Sequence, residues 1–395
     1  MTADQWPGET IAPAGPSPRR VAAIDCGTNS IRLLIADVSP DRGALNDVTR
    51  RMEIVRLGQG VDATGRLAPD ALARTLAVLE RYAGAIADAG ATAVRMVATS
   101  ATRDASNAAE FTAGVVAILG IEPEVISGAQ EARLSFTGAT AELAGADSEA
   151  GAGSEAGSGS VTGGAAAGME PPYLVVDIGG GSTEFVVGTG PGIAVSAGVG
   201  AAIGAGSAGA AGSAGEAGAG AGDEAGGLPP AGGAGQLRAI STDIGCVRLT
   251  ERHLRADPPT AGQIAAATAD IDAAIATAAA AVLGDPGPGA PRTLVGLAGS
   301  VTTVAAIALG LPGYDPQRIH HARITAGQVH EVAQRLLGQT RAQRAAIGSM
   351  HPGRVDVIGA GALILDRILT RLGFAEVVAS EHDILDGIAW SLADA

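Results

Sequence analysis

Two short stretches constrain the fold of this chain more than any bulk property. "AAIDCGTNSIRLL" from Ala22 and "VVDIGGGSTEF" from Val175 follow one plan about 150 residues apart. Each opens on small or β-favouring apolar residues, 21–24 and 174–176, without polar alternation, which predicts a buried strand. Each then sets an acid, Asp25 or Asp177, at the strand end. A turn of small residues follows: Gly27, Thr28, Asn29 and Ser30 in the first, and Gly179, Gly180, Gly181, Ser182 and Thr183 in the second. Such turns let backbone N–H groups approach an anion, because glycine tolerates positive φ and successive amides form a concave nest. A carboxylate beside an anion cradle is repulsive unless a divalent cation or an ordered water lies between them. One strand and one glycine turn make an ordinary hairpin. Two copies in the same order imply two walls of one cleft.

The cradles belong to neither common nucleotide loop. No Gly-Lys-Ser/Thr follows them, and the glycines at 179–181 lead into a second strand rather than a helix.

The chain between and after them repeats one grammar. Residues 20–55 read as three strands, and 69–89 as a helix opened by Pro-Asp. "AVRMVATSA" reads as a strand returning parallel to the sheet, and "NAAEFTAGVVAILG" as a helix stopped by Gly120. "EPEVIS" is a short strand, and "GAQEARLSFTGATAEL" a helix. The second copy runs strand, strand, strand, then the long helix "PPTAGQIAAATADIDAAIATAAAAVL", the strand "TLVGLAG" and a helix opened by Ser300. "ALILDRILTRLGF" is a helix ended at Gly373, "AEVVAS" a strand and "DGIAWSLAD" a last helix. The pattern predicts an α/β chain of two domains in the actin/sugar-kinase/Hsp70-like (ribonuclease H-like) architecture, with an interdomain cleft. The expected division is a disordered tail at 1–19, a first domain at 20–135 and a second at 136–395. Low-complexity Ala/Gly/Ser tracts at about 145–168 and 201–235 read as flexible surface insertions.

Composition narrows the partners. With a net charge of −15, the chain lacks the general basic face that DNA or RNA binding needs, and 2% aromatic residues leave no base-stacking platform. All its basic side chains are arginine, which suits bidentate phosphate contacts. The two cysteines, Cys26 and Cys246, have no metal-ligand spacing and fit a reducing cytoplasm. "PSPRRVAAID" has the look of a twin-arginine signal, but Asp25 and Arg32 interrupt its apolar stretch. No run reads as long and apolar enough to span a bilayer, so the chain reads as soluble and cytoplasmic.

Seven segments, "IDCGTNSIRL", "ATSATRDASN", "ISGAQEARLSF", "VVDIGGGSTEF", "STDIGCVRLTE", "GLAGSVTT" and "RVDVIGAG", stand in an order and spacing that resembles the Ppx/GppA family of exopolyphosphatases and guanosine pentaphosphate phosphohydrolases. The similarity covers nearly the whole chain from Arg20, apart from the two insertions. It implies Glu131 as general base, because the family's base occupies this place in its "SG..EA" motif. Taken alone, the motif favours reading Glu131 as an ordinary capping glutamate three residues after a turn. A carboxylate there can accept a proton from water attacking a terminal phosphorus.

Asp25, Asp177 and Glu184 are candidates to hold magnesium, or manganese in its place, although Glu184 also reads as an outward residue on its strand. The resemblance implies phosphate contacts for Arg32, Arg103 and Arg354, beside the donors of the two turns. Arg248 reads as a domain-packing residue through a salt bridge to Glu251. Cys26 reads as packing, and Ser300 stands where the family usually has threonine, which keeps the hydroxyl. With the sequence ending soon after the second domain, the C-terminal helical domains of long family members are not expected, and the resemblance then implies a preference for short polyphosphate or a small substrate. The expected activity is magnesium-dependent release of terminal phosphate from inorganic polyphosphate. Hydrolysis of guanosine pentaphosphate, a kinase of the same fold and a non-catalytic sensor are the alternatives, and a homodimer is consistent with the family.

Overall fold

The structure is a computed structural model that describes residues 18–39, 44–142, 169–190, 201–202, 237–284 and 289–393. Most of the tail at 1–19 and nearly all of both Ala/Gly tracts lie outside the described residues. In chain order the first strands are β1 (Arg19–Cys26), β2 (Ser30–Val38), β3 (Leu45–Ile54), β4 (Ala93–Ala98) and β5 (Glu124–Val125). They are followed by β6 (Tyr173–Ile178), β7 (Thr183–Gly188), β8 (Ala201–Ala202), β9 (Arg238–Thr242), β10 (Thr293–Leu297), β11 (Arg323–Thr325) and β12 (Glu376–Ala379).

The two sheets have the same core order. The first runs β3-β2-β1-β4-β5, with β8 pairing β4, and the second runs β9-β7-β6-β10-β12-β11. In both, the first three strands are antiparallel neighbours. The next two join them in parallel. The duplication read in the two turns therefore extends to whole sheets. This is the expected two-domain actin-like architecture, and it sets the ends of β1 and β6 against each other.

Local chemistry explains the helices that hold the sheets. Pro69–Ala89 starts with Pro at its first position and ends at Gly90 in the left-handed region at φ 69°, where glycine avoids the Cβ penalty. Its buried stripe of Ala71, Thr75, Val78, Leu79, Tyr82 and Ile86 follows the helical period and packs on one face of the first sheet. Gly120 and Gly373 end their helices in the same way.

Two expectations need correction. The helix Ala261–Val282 is long and apolar enough, by length and composition, to cross a membrane, with a mean hydropathy of 1.4. In this fold its stripe of Ala267, Ile271, Ile275, Ala278 and Val282 belongs to the core of the second half. Ser300 does not open its helix, which runs Ala298–Ala308 from Leu297.

The boundary expected at 136 falls within a helix. The helix Gly128–Thr140 lies between the two sheets. Its Leu134 packs toward the first, and its Ala132, Phe136 and Ala139 pack toward the second. The last helix, Ile384–Ser391, crosses back to the first half, where Ile384, Leu385, Ile388, Ala389 and Trp390 cover Val21, Ala23, Leu34 and Ala36. The outward face of β1 and β2 is apolar and must be buried. The central and last helices supply that cover. Arg95, buried in β4, ties the arrangement together by donating to Glu124 at 2.7 Å and to Ser391 Oγ at 2.6 Å.

Candidate active site

The turns after β1 and β6 meet across a cavity of about 80 Å³. Both close with the same backbone bond, Gly27 N–H to the Ser30 carbonyl and Gly179 N–H to the Ser182 carbonyl, each at 3.0 Å. The walls touch closely. A Cβ on Gly180 would lie 3.0 Å from Thr28 Cβ, and one on Gly181 would lie 2.5 Å from Ser100 Oγ. Of the residues expected at the site, Asp25, Gly27, Thr28, Asn29, Ser30, Arg32, Glu131, Asp177, Gly179, Gly180, Ser182 and Arg354 line this cavity.

Strand register shows how the duplicated halves have diverged. Asp25 stands opposite Arg32 in the β1/β2 pair, and Asp177 stands opposite Glu184 in the β6/β7 pair. One half thus pairs its acid with a cation, whereas the other pairs it with a second acid. Arg32 donates from Nε and Nη2 to Asp25 Oδ2, at 2.9 and 2.6 Å, and from Nη1 to Asp383. Asp25 Oδ1 is buried with no hydrogen-bond partner. A buried, orphaned carboxylate oxygen is costly and calls for a ligand.

Glu131 sits in the first turn of the central helix, but the capping role belongs to its neighbour. Ser127 Oγ accepts from Gln130 N–H, and the Gln130 side chain returns a bond to the Ser127 N–H. Glu131 is therefore available to the cleft, where Arg103 Nη1 lies 3.5 Å from its Oε2. Burial raises its pKa well above the ordinary carboxylate range, and the charges of Glu184, Asp25 and Asp177 add to the effect. One turn further along, Ser135 Oγ donates to Asp177 Oδ2 at 2.7 Å. Burial raises Asp25, Asp177 and Glu184 as well.

The carboxylates of Asp25, with its orphaned oxygen, and Asp177 both line the cavity and are hard oxygen donors of the kind a magnesium or manganese ion accepts. Asp25 and Asp177, on opposite walls, are the residues that would hold it.

Some expected residues do not reach the cavity. Thr183 is fully buried and its hydroxyl donates to the Ile244 carbonyl, so it supports the turn from behind instead of meeting a phosphate. Glu184, the cross-strand partner of Asp177, accepts from Ser241 Oγ at 2.7 Å and is not among the residues lining the cavity. Gly181 lines a smaller recess with Asp62, Asp104 and Arg248. Arg103 donates to the Ile126 carbonyl at 2.9 Å and borders Glu131. Arg248 does pack the halves together, but its partners are Asp62 and Asp104, each at 2.7 Å, and not Glu251. Cys26 is a buried free thiol whose pKa burial drives up, as a packing residue's should be.

Other residues acquire roles that motif reading missed. Asp383 holds Arg32 from the opposite side to Asp25. The available signal was an acid shortly after the strand "AEVVAS", the same plan as Asp25 and Asp177. Ser135, and Ser100, whose Oγ lies 2.9 Å from Thr28 Oγ1, carried no such signal. Ala298 lines the cavity in the left-handed region at φ 63°, a conformation costly for a residue with a Cβ and concentrated at functional sites. The neighbouring Gly299 leaves room for the Arg354 guanidinium, which a Cβ would meet at 2.1 Å.

Fold and site together define a two-domain actin-like protein with a carboxylate-rich cleft walled by two glycine turns. Residues 34–150 and 233–395 match the model of the Ppx/GppA phosphatase family, and the chain belongs to that family. It is 43% identical over 385 residues to Exopolyphosphatase 2 of Mycobacterium tuberculosis, covering 95% of this chain and 98% of that protein. Among solved structures, an exopolyphosphatase-like protein matches with a TM-score of 0.73 and 38% identity, over 95% of this chain and 98% of that one. The Aquifex aeolicus member of the Ppx/GppA family matches with a TM-score of 0.64 and 28% identity, again over 95% and 98%.

Proposed function

We propose that the chain is an exopolyphosphatase that removes the terminal phosphate of linear inorganic polyphosphate by attack of water, with Glu131 as the base. The observation that carries this reading is the placement of Glu131: released from capping by Gln130, buried, and aimed into a cavity whose two walls are glycine turns. A buried carboxylate aimed at the terminal phosphate suits the activation of water, which favours hydrolysis over transfer to an acceptor by a kinase of this fold.

The residues divide the work. The turns at 27–30 and 179–182 seat the terminal phosphate, and Asn29 and Ser30 add side-chain donors. Arg32, fixed between Asp25 and Asp383, presents positive charge without having to be ordered during the reaction. Glu131 takes a proton from the water as its oxygen bonds to the terminal phosphorus. The bridging P–O bond breaks, and the shortened chain leaves with that oxygen. Bound magnesium, or manganese, would neutralise charge on the phosphates and polarise the bridging bond.

The remaining chain has a path out. A second cavity of about 540 Å³ adjoins the first and shares Arg32, Met52, Ala298, Gly299 and Arg354 with it. Arg50 and Arg51 add basic character, which suits successive phosphates of a polyanion. The same cavity favours one second reading, guanosine pentaphosphate, because Tyr314, Met350, Pro316 and Pro352 give it apolar walls able to take a nucleoside. The buried free thiols of Cys26 and Cys246 suit work in a reducing, cytoplasmic compartment.

The test is orthophosphate release from polyphosphate by the purified protein with magnesium, and again after chelation. Single phosphates should come from the chain ends with magnesium and cease in excess chelator. Internal cleavage to mid-sized fragments, or release indifferent to chelation, would contradict the reading.

A further inference from the structure

Outside the cleft, the structure gathers three imidazoles around one carboxylate. Glu142 lies just beyond the central helix, His320 and His321 lead into β11, and His382 stands between β12 and the last helix. Glu142 Oε2 is 3.1 Å from His320 Nε2, and its Oε1 is 3.2 Å from His382 Nδ1. The rings of His320 and His321 stack with centroids 3.7 Å apart, and the His382 ring is 4.7 Å from that of His320. One donor atom from each of Glu142, His320 and His321 falls within 4.8 Å of the others.

One feature sets this cluster apart from a chance surface group. His321 holds a left-handed backbone at φ 61°, with its N–H bonded to the Ala379 carbonyl at 2.7 Å. Such strain persists where the surroundings over-determine it.

We propose that Glu142, His320 and His321 form a binding site for a borderline divalent transition-metal ion of the zinc type, with His382 as the fourth donor. Imidazole nitrogens and one carboxylate suit zinc in four-coordinate geometry. They are a poor match for magnesium, which prefers an octahedral shell of oxygens. The cleft and this cluster therefore select different ions. His320 Nδ1 accepts the Glu381 N–H at 3.2 Å, which puts its ring proton on Nε2, facing Glu142. Ligation through Nε2 moves that proton to Nδ1, with no net release, and gives up the bond from Glu381. The site joins the end of the helix that carries Glu131 to the residue before Asp383, and so ties together segments that position the cleft.

Zinc titrated calorimetrically into the metal-stripped full chain, free of any affinity tag and in excess magnesium, should bind at one ion per chain. Glu142→Gln and His321→Asn, the latter chosen because asparagine tolerates the left-handed backbone, should each weaken binding by about 10-fold or more. Cobalt(II) in place of zinc should give the intense visible bands of a four-coordinate site, and His321→Asn should lose them. Melting of the metal-free variants checks that they fold, and His320→Gln serves as the second probe if His321→Asn does not. Absence of saturable zinc binding by the wild type, or unchanged binding in the folded variants, overturns the proposal.

Discussion

Glu131→Gln is expected to lower kcat by about 10²–10⁴-fold, the range over which a positioned base contributes, while KM for polyphosphate changes little. The substitution keeps the shape of the side chain and removes only its ability to take a proton. Nothing else in the first turn of the central helix depends on that carboxylate, because Gln130 completes the cap. Stability should not fall. A carboxyl whose folded pKa lies above its unfolded value, as burial and the charges of Glu184, Asp25 and Asp177 make that of Glu131, costs stability wherever the unfolded chain ionises it. That cost is absent below the unfolded pKa and grows as pH rises toward the folded one. In metal-free buffer near pH 7, Glu131→Gln should therefore melt no lower than the wild type. Turnover equal to the wild type would remove Glu131 from the role of base. Lost turnover with a lower melting temperature would make it a structural residue instead.

The largest effect on stability is expected at Gly138. The central and last helices cross there with backbones in contact. A Cβ on Gly138 would lie 1.8 Å from the Asp383 carbonyl oxygen, and one on Gly387 would lie 2.0 Å from the Leu134 carbonyl oxygen. Neither neighbour is a side chain that can swing away, so Gly138→Ala must separate the helices. The expected cost is about 3 kcal/mol, at the upper end for overpacking, even though alanine is the better helix former. Activity should fall as well, because Asp383 is one of the two carboxylates that hold Arg32. Gly84→Ala, in the helix Pro69–Ala89, is the control: nothing lies within 4 Å of its Cβ position, and it should gain roughly 0.5–1 kcal/mol. Urea denaturation of the pair measures both. A Gly138→Ala protein as stable as the wild type would show that the two helices do not pack this closely.

Much of the site was legible because its residues sit in local patterns. The strand, acid and glycine turn at Asp25 and at Asp177 needed only neighbouring residues, and both reach the cavity. Helix ends at Gly120 and Gly373 were legible for the same reason. What escaped depends on partners distant in sequence. Asp383 reaches Arg32 only because the last helix returns to the first sheet, and local periodicity cannot say which half will cover an apolar face. The opposition of Arg32 and Glu184 across matching registers appears only once the strands are paired. Thr183 looked like part of the cradle because it adjoins Ser182, but strand alternation turns its hydroxyl to the Ile244 carbonyl. Glu131 could not be told from a cap by position alone. The bond between Ser127 and Gln130 decides it.

The most direct test of the account is phosphate release with magnesium from short polyphosphate, long polyphosphate and guanosine pentaphosphate, at equal concentrations of chain ends. Release from polyphosphate is the expected result. Release from the nucleotide alone, or from none of the three, would contradict it.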